Sequence, residues 1–364
     1  MGVFVKELCT EWAASGVSVS VISPSTSALF RRNWIERCDE AGSIVMRVAR
    51  SPLTVLPEFR SVKELFKGNL RRAWRLHRIH TMRRLVEICT RELPRPDLAY
   101  AIHASMNLYA CQGVQDVYGG TPVFVSMGES AAYRVSDLFG TNFAREFLNS
   151  VMGVIAVSNE IQDFCVNKIG VPANKVVLYK NAVNVNKFYP EDKNIKEKVV
   201  IGFVGQFIPR KGVDTLTEAV EGLRNIDVMY VGDGPLLPSG ENCIHRGPVD
   251  HELLPDFLQQ CDIFVFPSKK EGSPNALIEA MATGLPIVAS NLREIREVCS
   301  VQSAIFVEPD DVLGFRNAII RLSTDKELRV KMGREARKEA EVWTLHDRAM
   351  CILSWMNKRL EDGE

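Results

Sequence analysis

The sequence predicts an α/β protein of two domains, each built on a parallel sheet. At 364 residues the chain is longer than a single hydrophobic core usually serves, so two domains are expected. Short β-branched runs alternate with segments whose apolar residues recur at helical spacing. This alternation is typical of parallel sheets covered by helices on both faces.

The apolar runs predict the order of the strands. In the first half they lie at residues 17–22, 122–126, 153–157 and 175–178, and residues 97–102 also have the character of a strand. In the second half they lie at residues 199–204, 227–231, 263–266, 286–289 and 304–307. The polar residues 189–194 separate the two series and are predicted to be a linker. We therefore predict two Rossmann-like domains facing a cleft, at residues 1–188 and 189–340, with a C-terminal helix at 341–364.

The composition is that of an ordinary globular protein, with 46% apolar and 25% charged residues. No apolar stretch approaches the roughly 20 residues that a membrane-spanning helix needs. The N-terminus lacks the basic flank and apolar run of a signal peptide. The nine cysteines include no Cys-x-x-Cys pair, so we expect reduced thiols in the cytoplasm, and neither a disulfide framework nor a zinc site.

The net charge of zero conceals a basic first domain and an acidic second one. Residues 1–188 contain 23 Lys and Arg against 16 Asp and Glu, and the remainder contains 22 against 29. The basic residues are concentrated in residues 63–88, which begin at Lys63 and end at Ile88. This segment has eight Lys or Arg, two Glu and an approximate apolar stripe that includes Leu70 and Trp74.

Two interpretations of residues 63–88 stay open. A basic amphipathic helix can lie on an anionic membrane, where each cation contributes about 1 kcal/mol. The alternative is a helix packed on its own domain with a solvated basic face. Nucleic acid is not expected as a partner, because no recognised binding motif accompanies the basic residues.

The densest chemical signal lies in residues 269–286. Ser273 is predicted to cap a short helix that begins at Pro274, and Gly284 is predicted to end it. The start of this helix would project from the carboxyl edge of a parallel sheet. Doubly wound folds bind ligands at that edge, and the N–H groups of a helix N-terminus attract phosphate there.

Two glutamates accompany this helix. Glu271 precedes it and Glu279 lies within it, among apolar residues. Such a glutamate is either solvated at the flank of the helix or committed to a partner, because an unpaired buried charge is costly. Taken alone, Glu279 is more simply interpreted as a structural residue.

A second segment, residues 199–212, changes that interpretation. It reads as a buried strand, a glycine turn and two adjacent cations at the start of the next helix. Gly205 lets the backbone approach a ligand closely. Arg210 and Lys211 are suited to neutralise a diphosphate from the side opposite the Ser273 helix. An Arg-Lys pair alone is usually a solvated surface, but its combination with the glutamate segment indicates a site.

Together these segments resemble glycosyltransferase family 4, whose members have the GT-B fold of two Rossmann-like domains. The resemblance rests on the glutamate pair, the turn from Gly205 to Gly212, and the motifs Val231-Gly232-Asp233-Gly234-Pro235 and Asn181-Ala182-Val183-Asn184. It covers nearly the whole chain. It implies a retaining transferase that moves a hexosyl group from a nucleoside-diphosphate sugar to a glycan or lipid-linked acceptor, in the synthesis of surface polysaccharide or glycolipid.

The resemblance also implies roles for individual residues. The equivalent of Glu279 holds the donor ribose, that of Glu271 contacts the donor sugar, and Lys211, aided by Arg210, lies on the diphosphate. Further donor contacts are implied for Gly205, Gln206, Val249, Ser273, Pro274, Asn275, Ala276 and Leu277, many of them through the backbone. The C-terminal helix is expected to pack toward the first domain.

We expect neither a metal nor another cofactor. No Asp-x-Asp motif occurs in the sequence, so a metal-clamped diphosphate is not supported. Two cations and a helix N-terminus are suited to stabilise the charge that develops on a departing diphosphate.

The sequence departs from the family pattern in three places. It opens on a helix where members have a strand and a glycine-rich loop, so the first domain is expected to lack its first strand. Gln206 stands where the family commonly has arginine, and Gly128 where many members have a histidine near the donor sugar. His103 and Glu129 are the candidates on the acceptor side, although a packing or surface role is the simpler interpretation of His103.

These departures keep a second function open, that of a catalytically inactive homologue which binds sugar nucleotide or glycan as a partner subunit. An epimerase or an inverting transferase is less well supported, because the glutamate pair belongs chiefly to retaining families.

Overall fold

The computed structural model describes residues 3–25, 34–38, 44–50, 87, 90–91, 94–102, 107–128, 141–191 and 198–363. They form two compact units, Met1–Tyr179 with Ala349–Glu364, and Lys180–Arg348. The sequence places the boundary after residue 188, nine residues later. The segment that follows Tyr179 belongs to the second unit because it hydrogen-bonds and packs there. Val183 N donates to Trp343 O at 2.9 Å, and the Phe188 side chain is buried in the core of that unit.

The first unit has two sheets among its described residues. Its strands are β1 (Ser20–Ser25), β2 (Trp34–Cys38), β3 (Ile44–Arg50), β4 (Ala99–Ile102), β5 (Val123–Met127), β6 (Gly153–Ala156) and β7 (Val176–Leu178). Strands β4, β5, β6 and β7 form a parallel sheet in that order. Strands β1 and β3 are parallel, whereas β2 pairs antiparallel with β3, so this smaller sheet is mixed. Strands β2 and β3 are not among those predicted from the sequence.

Helices cover both faces of the four-stranded sheet. They are α1 (Val3–Ala14), α2 (Asn107–Val117), α3 (Thr141–Ser150) and α4 (Asn159–Asp163), with a π-helix at Phe164–Ile169. Along β5 the side chains alternate, so that Val123 and Val125 join one buried cluster and Phe124 joins the other. The second cluster also contains Leu8 and Trp12 of α1.

The last helix, α11 (Leu345–Glu361), begins in the second unit and lies mostly in the first. Its buried Ile352 and Met356 belong to the same cluster as Trp12, whose indole Nε1 donates to Ala349 O at 2.8 Å. Gly153 is needed beneath this helix, since a Cβ there would lie 2.3 Å from the ring of Trp355.

The second unit has one six-stranded parallel sheet. Its strands are β8 (Val199–Val204), β9 (Ile226–Val231), β10 (Cys243–Gly247), β11 (Ile263–Phe266), β12 (Ile287–Ser290) and β13 (Ala304–Val307). Their order across the sheet is β10-β9-β8-β11-β12-β13, which is the order of a dinucleotide-binding Rossmann fold. Strand β10 is not among those predicted from the sequence; it is an edge strand whose residues are half-buried or exposed.

Among the described residues of this unit, six α-helices flank the sheet, and the core lies on both of its faces. They are α5 (Val213–Val220), α6 (Leu254–Gln259), α7 (Asn275–Ala282), α8 (Arg293–Arg296), α9 (Val312–Thr324) and α10 (Lys326–Ala340). Ile263 and Val265 of β11 pack in one buried cluster, whereas Phe264 and Phe266 pack in the other. This period of two is the pattern of a strand buried on both faces.

Within the described ranges, no helix has the length and apolar character needed to cross a bilayer. The basic segment at residues 63–88 lies outside the described residues, apart from Glu87. The acceptor-side candidates His103 and Glu129 also lie outside them.

Candidate active site

The candidate site lies at the carboxyl edge of the second unit's sheet, where strand order reverses. Strands β8 and β11 are neighbours there, although they are not consecutive in the chain. In an open α/β sheet the crevice at such a switch point is the usual ligand site. Two loops border it: residues 205–212, here the β8 loop, and residues 267–274, here the β11 loop.

Three hydrogen bonds join these two loops. Lys269 N donates to Arg210 O at 2.8 Å, and Arg210 Nη1 donates to Lys270 O at 3.0 Å. Lys211 Nζ donates to Glu271 Oε1 at 2.5 Å. The structure thus brings the adjacent residues Arg210 and Lys211 to the loop of Glu271, which lies 60 positions from Lys211 in the sequence.

The Lys211–Glu271 pair is largely shielded from water. The side chain of Glu271 is 4% exposed and that of Lys211 is 18% exposed. The lysine ammonium also lies 5.6 Å from the centre of the Phe266 ring. Charges in such surroundings interact more strongly than they do at a surface, so this ion pair should hold the two loops together.

Glycines allow the loops to approach one another. Gly212 has φ +66°, and a Cβ there would lie 2.1 Å from Pro267 O of the β11 loop. A Cβ at Gly232 would lie 1.9 Å from Gly205 O, and one at Gly234 would lie 2.4 Å from Phe207 O. Residues 231–235 are therefore glycine-rich because they pack directly on the β8 loop.

Gly205 is different from these three glycines. A Cβ there would meet the Phe203 ring at 3.6 Å and Lys211 Cδ at 3.9 Å, which are ordinary contacts. The fold itself therefore does not require a glycine at this position. The predicted reason for a glycine at this position is therefore still the close approach of a ligand to the backbone.

The start of α7 differs from the prediction. The helix begins at Asn275 and its N-cap is Pro274, so the prediction of Ser273 as the cap and Pro274 as the first helical residue is wrong. Pro274 has φ −82° and ψ 81°, which is not helical. The Ser273 hydroxyl instead accepts a hydrogen bond from Asn181 N at 3.2 Å, and Asn181 Nδ2 donates to Asn275 Oδ1 at 2.7 Å.

The end of α7 is as predicted. Gly284 has φ +74° and follows the C-cap Thr283. Gly284 N donates to Met281 O, and Leu285 N donates to Ala280 O. This is the Schellman arrangement, which satisfies the last carbonyls of a helix.

Glu279 lies on α7 in a hydrogen-bonded network of its own. Its Oε1 lies 2.7 Å from His251 Nε2, and His251 Nδ1 lies 3.1 Å from Lys187 Nζ. Lys187 also pairs with Glu252 at 3.1 Å. His251 and Lys187 are not among the site residues predicted from the sequence. Nothing in their local sequence indicates them, because the contacts arise only from folding.

The other implied donor contacts are spread along the edge of the sheet. Gln206 is exposed on the β8 loop, and Ala276 and Leu277 form the first turn of α7. Val249 is half-buried against the core, two residues beyond β10. Gly128 follows β5 in the first unit.

In the part of the chain that the structure describes, no group of three or more His, Cys, Asp or Glu side chains is arranged to hold a metal.

Comparison with known proteins identifies the family. Residues 1–182 match a family described as "Glycosyl transferase 4-like domain", and residues 198–325 match one described as "Glycosyl transferases group 1". The chain is 28% identical over 208 residues to the Escherichia coli UDP-Gal:alpha-D-GlcNAc-diphosphoundecaprenol alpha-1,3-galactosyltransferase, covering 49% of this chain and 52% of that protein. It is 25% identical over 239 residues to the Campylobacter jejuni N,N'-diacetylbacillosaminyl-diphospho-undecaprenol alpha-1,3-N-acetylgalactosaminyltransferase, covering 57% of this chain and 63% of that protein. The matches thus span about half to three fifths of these curated relatives.

Solved structures agree on the fold. A sucrose-phosphate synthase of Thermosynechococcus elongatus superposes with a TM-score of 0.75 at 18% identity, covering 100% of this chain and 94% of that one. Anabaena HepE, in complex with UDP and glucose, superposes with a TM-score of 0.72 at 16% identity, covering 98% and 96%. The resemblance inferred from the motifs is confirmed. With two parallel-sheet α/β units and a family match over half its length, the chain belongs to the family 4 glycosyltransferases and has the GT-B fold.

Proposed function

We propose that the protein is a retaining glycosyltransferase that uses a nucleoside-diphosphate sugar as donor. The observation that carries the proposal is the contact between Lys211 and Glu271 at the switch point of the sheet. In a donor of this class the sugar is bonded directly to a phosphate. A cation for the phosphate and a carboxylate for the sugar hydroxyls must therefore be adjacent, as these two side chains are.

The donor would extend from this pair along the carboxyl edge. Lys211 and Arg210 would bind the diphosphate, assisted by the backbone N–H groups at the start of α7. Glu271 would accept hydrogen bonds from the donor sugar, and Glu279 would accept them from the ribose. Gln206 and the backbone at Gly205 and Val249 would complete the site.

We propose a transfer step in which the configuration at the sugar C1 is retained. The bond between the sugar C1 and the phosphate oxygen breaks, and the acceptor oxygen bonds to C1 from the same face. The acceptor proton passes to an oxygen of the departing diphosphate. Lys211 and Arg210 assist because negative charge grows on the diphosphate as it leaves, and fixed cations stabilise that state more than the ground state. We propose that these two cations and α7 serve without a metal.

The names of the relatives indicate the class of acceptor. Two of them act on sugars attached to diphosphoundecaprenol, and both names specify an alpha linkage. A donor with an alpha-linked sugar gives that linkage with retention. We therefore propose a lipid-linked or glycan acceptor in surface polysaccharide or glycolipid synthesis, reached from the cytoplasmic side of a membrane. The basic residues 63–88 are the proposed contact with anionic lipid, and liposome flotation tests it: no binding at low salt would exclude that contact.

A calorimetric titration tests the donor site. The purified chain is titrated with UDP-, GDP- and ADP-sugars, beside Glu279→Ala and the surface variant Lys338→Ala, whose side chain is 67% exposed. We expect one nucleotide class to bind wild type and Lys338→Ala equally, and to bind Glu279→Ala at least about tenfold more weakly. Equal binding to all three proteins would exclude the assigned site.

Product analysis then separates transfer from binding alone. Gln206 and Gly128 replace residues that many members of the family have near the donor, so an inactive homologue that only binds sugar nucleotide is the second candidate. Incubation with the bound donor and polyprenyl-diphosphate-linked sugars should yield an extended lipid with an alpha linkage by NMR. Donor binding without transfer to any acceptor or to water would favour the second candidate.

A further inference from the structure

The carboxylate assigned to the donor ribose is held by a histidine that no motif marks. His251 opens a 3₁₀ turn at His251–Leu253, after the edge strand β10, and Glu279 lies in the second turn of α7. The 2.7 Å contact between His251 Nε2 and Glu279 Oε1 joins these two elements. The side chains are 20% and 13% exposed, so the contact is mostly protected from water but remains open to a ligand.

The partner on the other side of the ring determines which nitrogen carries the hydrogen. Lys187 Nζ lies 3.1 Å from His251 Nδ1. A lysine ammonium only donates hydrogen bonds, so Nδ1 must accept. The hydrogen of the neutral ring then lies on Nε2, from which it is donated to Glu279. The two contacts are therefore one directed chain of hydrogen bonds, from Lys187 through His251 to Glu279.

Packing fixes the orientation of the ring. The Phe188 ring meets the imidazole edge-to-face, with centroids 5.4 Å apart and planes at 62°. Lys187 is held in turn by Glu252 at 3.1 Å. Because the ring is fixed, the direction in which Glu279 presents its oxygens is fixed as well. Glu279 Oε2 makes no hydrogen bond to any described residue, so it is available to a ligand.

We propose that His251 is a positioning residue for donor binding: it fixes the Glu279 carboxylate so that both oxygens accept the paired hydroxyls of a ribose, and Lys187 fixes the tautomer that lets it do so. This inference rests on the proposed function, because it takes Glu279 as the ribose-binding group. It adds specificity to that site, since a carboxylate held in one direction discriminates between a ribose and a deoxyribose. A carboxylate that rotates freely discriminates less between the two sugars.

Two amide variants distinguish positioning from packing. Gln at residue 251 places its amide where Nε2 lies, facing Glu279, whereas Asn places its amide where Nδ1 lies, facing Lys187. Both retain a polar group of similar bulk beside Phe188. We expect His251→Gln to retain the ribose preference and His251→Asn to lose it. His346→Ala, at an exposed histidine of α11, is the control.

The experiment measures dissociation constants for UDP, GDP and ADP and for their 2′-deoxy and 3′-deoxy analogues. In wild type, His346→Ala and His251→Gln, we expect at least one ribonucleotide to bind about tenfold or more tightly than a deoxy analogue. In His251→Asn the ratio should fall to within about threefold of unity. Lys187→Met should give an intermediate ratio, because it leaves the ring but frees the tautomer.

The remaining outcomes distinguish failure of the role proposed for His251 from failure of the proposed function. If wild type prefers the ribonucleotide and His251→Asn retains the full preference, the role of His251 is excluded while the donor site stands. If wild type binds none of the nucleotides, the proposed function fails and this inference fails with it. Circular dichroism and thermal melting confirm that each variant is folded. If His251→Asn does not fold, the ratio in Lys187→Met decides, and a ratio equal to that of wild type excludes the directed chain.

Discussion

Lys211 Nζ lies 2.5 Å from Glu271 Oε1, and this contact joins the two loops that border the switch point of the sheet. The pair has a structural consequence apart from any ligand. Glu271 is nearly inaccessible, and a buried carboxylate without a counter-ion is strongly destabilising. A substitution of Lys211 is therefore expected to affect folding as well as the proposed phosphate binding.

Loss of Lys211 alone should destabilise the second unit. We expect Lys211→Met to lower the free energy of unfolding by about 3 kcal/mol, because it leaves the Glu271 charge unpaired. The double variant Lys211→Met/Glu271→Gln should recover most of this loss, since no charge then remains. Urea unfolding of both variants and of Glu271→Gln gives the coupling energy. A loss in the double variant equal to the sum of the two single losses would mean that the pair is not coupled.

Neutralising Glu271 should have opposite effects on binding and on turnover. In Glu271→Gln, Lys211 no longer has a competing carboxylate, so a free nucleoside diphosphate should bind about threefold to tenfold more tightly. Sugar transfer should fall by about 100-fold, because the group proposed to contact the donor sugar is lost. Calorimetry with the diphosphate and a transfer assay measure the two quantities. Weaker diphosphate binding in this variant would contradict the competition.

The glycines should separate into those needed for folding and one needed for binding. Gly232→Ala brings a Cβ within 1.9 Å of Gly205 O at φ +139°, so we expect a loss of at least about 2 kcal/mol in unfolding free energy. Gly205→Ala meets only ordinary contacts, so its stability should change by less than about 1 kcal/mol while nucleotide affinity falls. Gly119→Ala, where no atom lies within 4 Å of the added carbon, should change neither. Chemical unfolding and nucleotide titration of the three variants measure these effects. Unchanged affinity in Gly205→Ala would remove the ligand-based reason for that glycine.

Arg337 of α10 should be essential to the packing of α7. Its Nη1 donates to Phe188 O and to Ala282 O, each at 2.7 Å, joining the end of α7 to the segment that carries Lys187. Arg337→Met should lower the free energy of unfolding by about 2 kcal/mol, because buried carbonyls lose a charged donor. Its neighbour Lys338 is 67% exposed, so Lys338→Met should stay within about 0.5 kcal/mol of wild type. Thermal and urea unfolding compare the two, and similar values for both would contradict the assignment.

Cys299 should make stability fall at high pH. Burial raises the pKa of its thiol from 9.0 to about 12, with a further increase from Glu339 and an opposing effect of Arg296. The unfolded chain therefore releases this proton at lower pH than the folded chain. The contribution of this thiol to the free energy of unfolding is fully present below pH 9 and is lost as pH rises toward 12. The free energy of unfolding then falls by up to about 1.4 kcal/mol per pH unit. The unfolding free energies of wild type and Cys299→Ala are measured between pH 8 and 10.5. The difference between them should be constant below pH 9 and should shrink as pH rises above 9. Parallel curves would contradict the raised pKa.

Thiol labelling offers an independent check on the same burial. Among the described cysteines, Cys351 is exposed, whereas Cys111, Cys165 and Cys299 are buried. Burial raises the pKa of each of these three thiols to about 12, so little thiolate is present at pH 8. Among these four thiols, iodoacetamide at that pH should modify Cys351 first, as mapped by peptide mass spectrometry. Early modification of the buried three would show that the core opens readily.

Local sequence determined much of the second unit. The runs at residues 199–204, 263–266 and 304–307 have the bounds of β8, β11 and β13, because a strand buried on both faces needs an uninterrupted apolar run. Gly284 marks the end of α7 for an equally local reason, since the residue after the C-cap needs a positive φ. By contrast, β10 has only partly buried residues at the edge of the sheet, and no apolar run predicts it.

The sequence by itself thus determined the two α/β units, the family and the segments that border the site, because apolar periodicity, turn residues and short motifs are properties of neighbouring residues. Only the tertiary structure decided which side chains meet. Lys211 lies 60 positions from Glu271, and His251 lies 28 from Glu279 and 64 from Lys187. These residues meet because the parallel strands bring their carboxyl ends to one edge of the sheet. No local pattern in the sequence indicates which residues the crossover helices place at that edge.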